Sequence, residues 1–184
     1  METVPWRVIL LVIAFVVLGH GVRAEQEYEM TIEKLERMND NGEYFTYNYT
    51  YDKLTEMKYS VSANVHQHKE LDSSFSVKAL MARADLAEGS EFEVMLDLQK
   101  PLCEWMTTIY KTYFYEELEK VSNFPHYDTC PLPPAEYWVK EYVFDYEPYK
   151  DMMSEGRWKV EMMLLKGDVV CSGILMINTV KLKT

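Results

Sequence analysis

The stretch Cys103-Glu-Trp-Met-Thr-Thr-Ile-Tyr110-Lys-Thr-Tyr-Phe-Tyr-Glu-Glu-Leu-Glu-Lys120-Val-Ser-Asn-Phe-Pro-His-Tyr-Asp-Thr-Cys130, followed by Pro131, decides how this chain reads. Around it, Leu102, Met106, Ile109, Tyr110, Tyr113, Phe114, Leu118 and Val121 recur at spacings of three and four, with Glu117 as the one interruption. That period is one apolar face of a helix. Pro101 suits a helix start, and Asn123-Phe124-Pro125 ends it, because proline cannot continue the hydrogen-bond ladder. One amphipathic helix is thus bracketed by two cysteines. It can serve as a plain plug of a core, or as one wall of a cavity lined by Trp105 and the Tyr/Phe cluster. A clipped helix laid over a β-sandwich or β-cup points to a container for a small apolar molecule.

Outward from the helix the period changes to two, which is the signature of strands. Tyr59, Val61, Ala63 and Val65 share one face, opposite Lys58, Ser60, Ser62 and Asn64. Phe75, Val77, Ala79 and Met81 alternate with Ser74, Ser76 and Lys78; Phe92, Val94, Leu96 and Leu98 alternate with Glu91, Glu93, Met95, Asp97 and Gln99. Turn signals stand between them at Asp40-Asn41-Gly42, His68–Ser74 and Glu88-Gly89-Ser90. After Cys130, the prolines of Pro131-Leu-Pro-Pro134 cannot join a central ladder and read as a connector. Tyr137, Val139 and Val143 alternate with Trp138, Lys140, Tyr142 and Phe144. A polar loop, Asp145–Ser154, precedes a strand that begins at Gly156-Arg157-Trp158-Lys159-Val160-Glu161-Met162. Lys166-Gly167-Asp168 signals a hairpin turn. Val169–Leu182 is the last strand, with Gly173 marking a bulge or a close approach. The fold class expected is mainly β, an antiparallel cup or sandwich with one amphipathic helix.

At the start of the chain, Arg7 precedes the apolar run Val8–Leu18, which is too short to cross the roughly 30 Å core of a bilayer as a helix. Gly19-His20-Gly21 breaks the run, and Val22-Arg23-Ala24 suits signal peptidase. The expected organisation is a signal peptide over residues 1–24 and a single secreted, soluble domain over 25–184. The formal net charge of the 184 residues is −11, and loss of the leader makes it more negative still. Such acidity repels phosphate backbones, so nucleic acid is not expected as a partner.

Two of the three cysteines should pair in an oxidising compartment. Cys103–Cys130 is the expected bridge, closing a loop that contains the helix. Cys171 is left as a buried thiol on a core strand, with an intermolecular bridge or another pairing as alternatives. Asn48-Tyr49-Thr50 is an N-glycosylation sequon, which places Asn48 at the surface. No Cys-x-x-Cys pair, nucleophile elbow, phosphate-binding loop or His-Glu-x-x-His occurs. His66 and His68 are two apart on a strand and read as surface side chains rather than a metal pair. Glu116-Glu117-x-Glu119 reads as a solvated helix face. No enzyme activity, metal or cofactor is expected.

The order and spacing of several short motifs carry a resemblance. These are Cys103-Glu104, Val121-Ser122-Asn123-Phe124-Pro125, Asp128-Thr129-Cys130-Pro131, Tyr137, Gly156-x-Trp158-x-Val160-Glu161, and Cys171 in the last strand. Over roughly residues 92–184 the chain resembles the ganglioside-activator protein, and more closely the insect secreted proteins of the CheB type. The resemblance implies an antiparallel β-cup enclosing a lipid-sized apolar cavity, lipid binding or presentation, and contact chemosensation of hydrocarbon or pheromone cues. One feature departs from the activator. There, the last-strand cysteine pairs with one near the mature N-terminus; here no cysteine lies between Ala24 and Cys103.

Binding of this kind has a simple physical basis. Each buried methylene contributes about 0.8 kcal/mol, so a chain of roughly fourteen carbons gains about 11 kcal/mol before ordering costs. The expected cavity lining is Phe75, Val77, Phe92, Val94, Leu96, Met106, Trp158, Val160 and Met162. The expected partners are a hydrophobic small molecule or lipid and a membrane receptor or channel. The alternative is an extracellular protein–protein adaptor with a filled core, contacting its partner through exposed tyrosines or Cys171.

Overall fold

The computed structural model describes residues 27–39, 42–147 and 154–183. The signal-peptide reading of residues 1–24, the Asp40-Asn41 pair and the middle of the Asp145–Ser154 loop lie outside them.

Among the described residues, eight antiparallel strands form two sheets. The strands are β1 (Tyr28–Met38), β2 (Phe45–Thr55), β3 (Lys58–Gln67), β4 (Phe75–Ala84), β5 (Glu93–Pro101), β6 (Ala135–Asp145), β7 (Gly156–Lys166) and β8 (Val169–Leu182). The larger sheet has the order β1-β8-β7-β4-β5, and the smaller the order β2-β3-β6. Between β5 and β6 lies the helical segment. Its first part, α1 (102–113), opens with an α-helical turn, Leu102–Trp105, passes through a π-helical stretch, Met106–Tyr110, and ends at Lys111–Tyr113. A second helix, α2, spans Tyr115–Val121.

The expected single helix is therefore interrupted. A π turn holds more residues than an α turn, so the side chains beyond it rotate around the axis. Tyr113, placed by its spacing on the apolar face, is 66% exposed, while Trp105 is buried. Phe114, with φ −127°, then breaks the helix before α2. Beyond α2, Asn123 covers the edge of β6 at Trp138. Its backbone N–H donates to the Trp138 carbonyl at 3.3 Å, and its Oδ1 accepts from the Trp138 N–H at 2.6 Å. A covered edge does not recruit a foreign strand.

Bulges explain where the period-two reading and the structure part. In β6 the register shifts between Val61 and Ala63 of β3, so Lys140 and Glu141 together oppose Ser62. Glu141 takes φ +54°, and its N–H donates to Ser62 Oγ at 2.9 Å. The extra residue flips the parity. Tyr142 and Phe144, not Val143, therefore share the inward face with Tyr137 and Val139. In β1, an extra residue at Glu33 breaks the alternation, which is why that strand has no clean sequence pattern. Glu33 is held there by hydrogen bonds from Thr179 Oγ1 and the Arg157 guanidinium. In β8 the bulge falls at Cys171, between Val170 and Ser172, and Gly173 marks a close approach instead. A Cβ on Gly173 would stand 2.7 Å from the Met162 carbonyl oxygen and 3.2 Å from Met163 Cγ.

Three phenols pin the sheets together along one side. Tyr47 donates to the Gly173 carbonyl at 2.9 Å, Tyr49 to the Leu35 carbonyl at 3.1 Å and Tyr59 to the Met30 carbonyl at 2.9 Å. Each runs from the smaller sheet to the larger.

Candidate functional site: an apolar cavity under a clipped helix

The inward face of β4 carries Phe75, Val77, Ala79 and Met81, and register places Leu164, Met162, Val160 and Trp158 of β7 beside Val77, Ala79, Met81 and Arg83. Two packed clusters form on this face. One, beneath the helical segment, joins Leu71, Phe75, Leu102, Trp105, Met106, Tyr110, Leu132 and Cys171. The other, at the far end, joins Met30, Met57, Tyr59, Trp158 and Val180. Between them the inward side chains are only half-buried: Val160, Ile174 and Met176 on the larger sheet, and Tyr49, Val61, Ala63 and Val139 on the smaller. Facing residues at the middle of a filled sandwich would be fully buried. The two sheets therefore stand apart at the centre, and the sandwich is a cup.

Under the helix the cup narrows into a cavity of about 230 Å³. Phe45, Val65, Gln67 and Tyr137 of the smaller sheet line it, with Val77 and Leu164 of the larger. Leu102, Trp105, Met106 and Tyr110 of α1 form its roof, and Leu71, Phe124, Pro125 and Leu132 complete it. The hydroxyls of its two tyrosines are bonded to backbone carbonyls. Tyr110 donates its hydroxyl to the Pro125 carbonyl at 3.1 Å, and Tyr137 to the Pro133 carbonyl at 3.3 Å. Burial pushes the Tyr110 phenol up to about 12, so it stays neutral over the ordinary pH range. Nothing in the walls carries charge, which suits an aliphatic ligand.

The roof is held in two ways. Cys103, in the first turn of α1, is bridged to Cys130. Just beyond Cys130, Leu132 and Leu71 exchange backbone hydrogen bonds of 2.8 and 2.9 Å, tying the loop to the connector between β3 and β4. Cys171 is buried and unbridged, and burial raises its thiol pKa.

The sequence-expected lining separates into groups. Val77 and Met106 line the cavity itself. Phe75 is buried in the cluster beside it, with its ring edge-on to Tyr44 at 5.4 Å between centroids. Leu96, Val160, Met162 and Trp158 lie further along the same inward face, Trp158 within the far cluster. Leu96 is nonetheless 43% exposed on the edge strand. Phe92 and Val94 do not join them. Phe92 precedes β5 and lies under Arg157 and Lys159, with both cations 5.7 Å from its ring centroid. A bulge at Met95, between the pairs Met81–Leu96 and Ala82–Val94, breaks the alternation, and Val94 is 61% exposed. Phe45, Val65, Gln67, Leu71, Leu132 and Leu164 are lining residues that the sequence reading missed. Val65 sits on a strand marked by its alternation, and Gln67 just beyond it, but which sheet faces which is not a local property.

Asn48 is exposed on the outer face of β2, where its Oδ1 accepts from Asn64 Nδ2 at 3.3 Å. It borders a shallow outer groove of about 360 Å³ with Thr46, His66, Glu136 and Trp138. The rings of His66 and His68 lie 4.3 Å apart between centroids, tilted by 49°, and no group of three metal-ligating side chains occurs among the described residues. Among those residues, no helix is long and apolar enough to cross a membrane.

The fold and the cavity define the class: an antiparallel β-cup roofed by a disulfide-clipped helical segment. A DUF1091 domain, described as a protein of unknown function, is found over residues 77–160. It begins within β4, takes in the whole roof and the Cys130 loop, and ends within β7. No curated protein matches the chain.

Proposed function

We propose that this protein is a secreted, non-enzymatic carrier of a lipid or other hydrophobic molecule. The observation that carries the reading is the apolar cavity of about 230 Å³, walled by both sheets and α1, with half-buried side chains further along the inner faces. At roughly 30 Å³ per heavy atom, taken from the volume of a water in the liquid, the cavity holds about seven or eight atoms. It therefore takes one end of an aliphatic chain, and the gap between the sheets takes the rest. The resemblance to the CheB-type and ganglioside-activator proteins supports the same reading and extends it to hydrocarbon or pheromone cues delivered to a membrane receptor or channel.

A second reading, an extracellular adaptor, draws support from the edge strands. Val94, Met95 and Leu96 of β5 and Val143 and Phe144 of β6 stand exposed at the ends furthest from the helix. In a carrier the same side chains form the rim by which a chain enters; in an adaptor they form the contact.

Native mass spectrometry of the protein secreted from insect cells, before and after organic extraction, tests the proposal. A released mass that matches a fatty acid, phospholipid or long-chain hydrocarbon is the expected result. An apo mass throughout, together with failure to take up an apolar fluorescent probe, would overturn it in favour of the adaptor.

A further inference from the structure

The polar exception in the cavity is Gln67, which is 1% exposed at the end of β3. Its amide nitrogen lies 2.9 Å from the Lys69 carbonyl, 2.9 Å from the Leu132 carbonyl and 3.0 Å from the Pro133 carbonyl. Carbonyl oxygens only accept, so the NH₂ group must face them and the amide cannot be turned over. The other end of the amide, Oε1, is then fixed away from those carbonyls. Among the described residues it has no hydrogen-bond partner, and it is not among the side-chain atoms there that are sealed from solvent without one. Gln67 is itself a lining residue of the cavity, so its unpaired acceptor belongs to the cavity wall.

We infer that Gln67 Oε1 selects ligands that end in a neutral hydrogen-bond donor, such as a long-chain primary alcohol or primary amide. The inference rests on the carrier reading and gives its ligand a chemical class. A ligand seated against Oε1 without a donor leaves a buried acceptor unpaired, which is costly in an apolar site. An ester, ether, ketone or alkane brings no donor. An ionised carboxylate brings a second acceptor and a charge into walls that hold no cation, and is rejected more strongly.

The test is displacement of diphenylhexatriene, which has no polar group, by three ligands of one chain length: tetradecane, tetradecyl methyl ether and tetradecanol. The expected result is that the alcohol displaces at about tenfold lower concentration than the ether. In Gln67→Met the alcohol and the ether should displace at equal concentrations. Equal displacement by alcohol and ether in the wild type would overturn the inference while leaving the carrier reading standing. An alcohol preference that survives undiminished in Gln67→Met would overturn the assignment to Gln67. Failure of the wild type to bind diphenylhexatriene or any of the three would overturn both. The wild-type series decides alone if Gln67→Met, stripped of its bonds to three carbonyls, does not fold.

Discussion

Replacing both bridged cysteines, Cys103→Ser with Cys130→Ser, separates what the bridge does for stability from what it does for the cavity. The two half-cystines are 27 residues apart and their Cα atoms lie 5.6 Å apart. For a loop of that length the chain-entropy model gives a loss of about 12 cal/mol/K from the unfolded ensemble, or about 3.5 kcal/mol at 25 °C. At roughly 2–4 °C per kcal/mol for a domain of this size, the melting temperature should fall by about 7–14 °C. The folded roof has its own anchors, however. Leu102, Trp105, Met106 and Tyr110 are buried without help from the bridge, and Leu71 and Leu132 stay paired. The affinity for diphenylhexatriene should accordingly change by less than about threefold, because the bridge acts chiefly on the unfolded chain. Urea unfolding followed by circular dichroism, with probe titration at low denaturant, reads both quantities. A loss of less than about 1 kcal/mol at an unchanged urea slope would refute the loop-closure reasoning. A collapse of probe affinity in a variant that stays folded would refute the claim that packing alone seats the roof.

Three further outcomes are expected. Tyr110 and Tyr146 are both pushed up to about 12, chiefly by burial, from an ordinary 10.0. A raised phenol pKa means that the neutral form is favoured in the fold, so this stability is complete below pH 10 and is lost as pH rises towards 12. Absorbance at 295 nm should show a late tyrosinate step together with a falling urea midpoint. A single step near pH 10 in a protein that remains folded would contradict it. Gly173→Ala should cost about 1–3 kcal/mol, because the new methyl meets the Met162 carbonyl at 2.7 Å; an unchanged urea midpoint would show that β7 and β8 can part more easily than argued. Asn178→Leu should leave stability unchanged or higher, since Asn178 Oδ1 is buried on the inner wall with no partner among the described residues. A loss above about 1 kcal/mol would mean that this amide is bonded.

Much of the fold was legible because it is written in local periods. Tyr59-x-Val61-x-Ala63-x-Val65 and Phe75-x-Val77-x-Ala79-x-Met81 kept their faces, and the Cys103–Cys130 bridge was readable from a helix between two cysteines. Where the chain inserts an extra residue, the period misleads. Met95, Glu141 and Glu33 each shift the parity, and the reason sits in a partner strand distant in sequence: Ser62 Oγ for Glu141, Thr179 and Arg157 for Glu33. Similarly, the π turn at Met106–Tyr110 moved Tyr113 off the apolar face.

The sequence by itself determined the elements: alternating strands, one amphipathic helical segment and its cysteine clip, all set by side-chain polarity at fixed spacing along the chain. Tertiary structure decided the site. Phe45, Val65 and Gln67 meet Val77 and Leu164 only because β2, β3 and β6 form one sheet while β4 and β7 pair in the other, and α1 then spans both. Tyr47, Tyr49 and Tyr59 pin those sheets along one side, and the middle stays open. A gap between two surfaces belongs to neither strand pattern. It arises from how far apart the bulged, twisted sheets come to rest, and only the assembled fold fixes that distance.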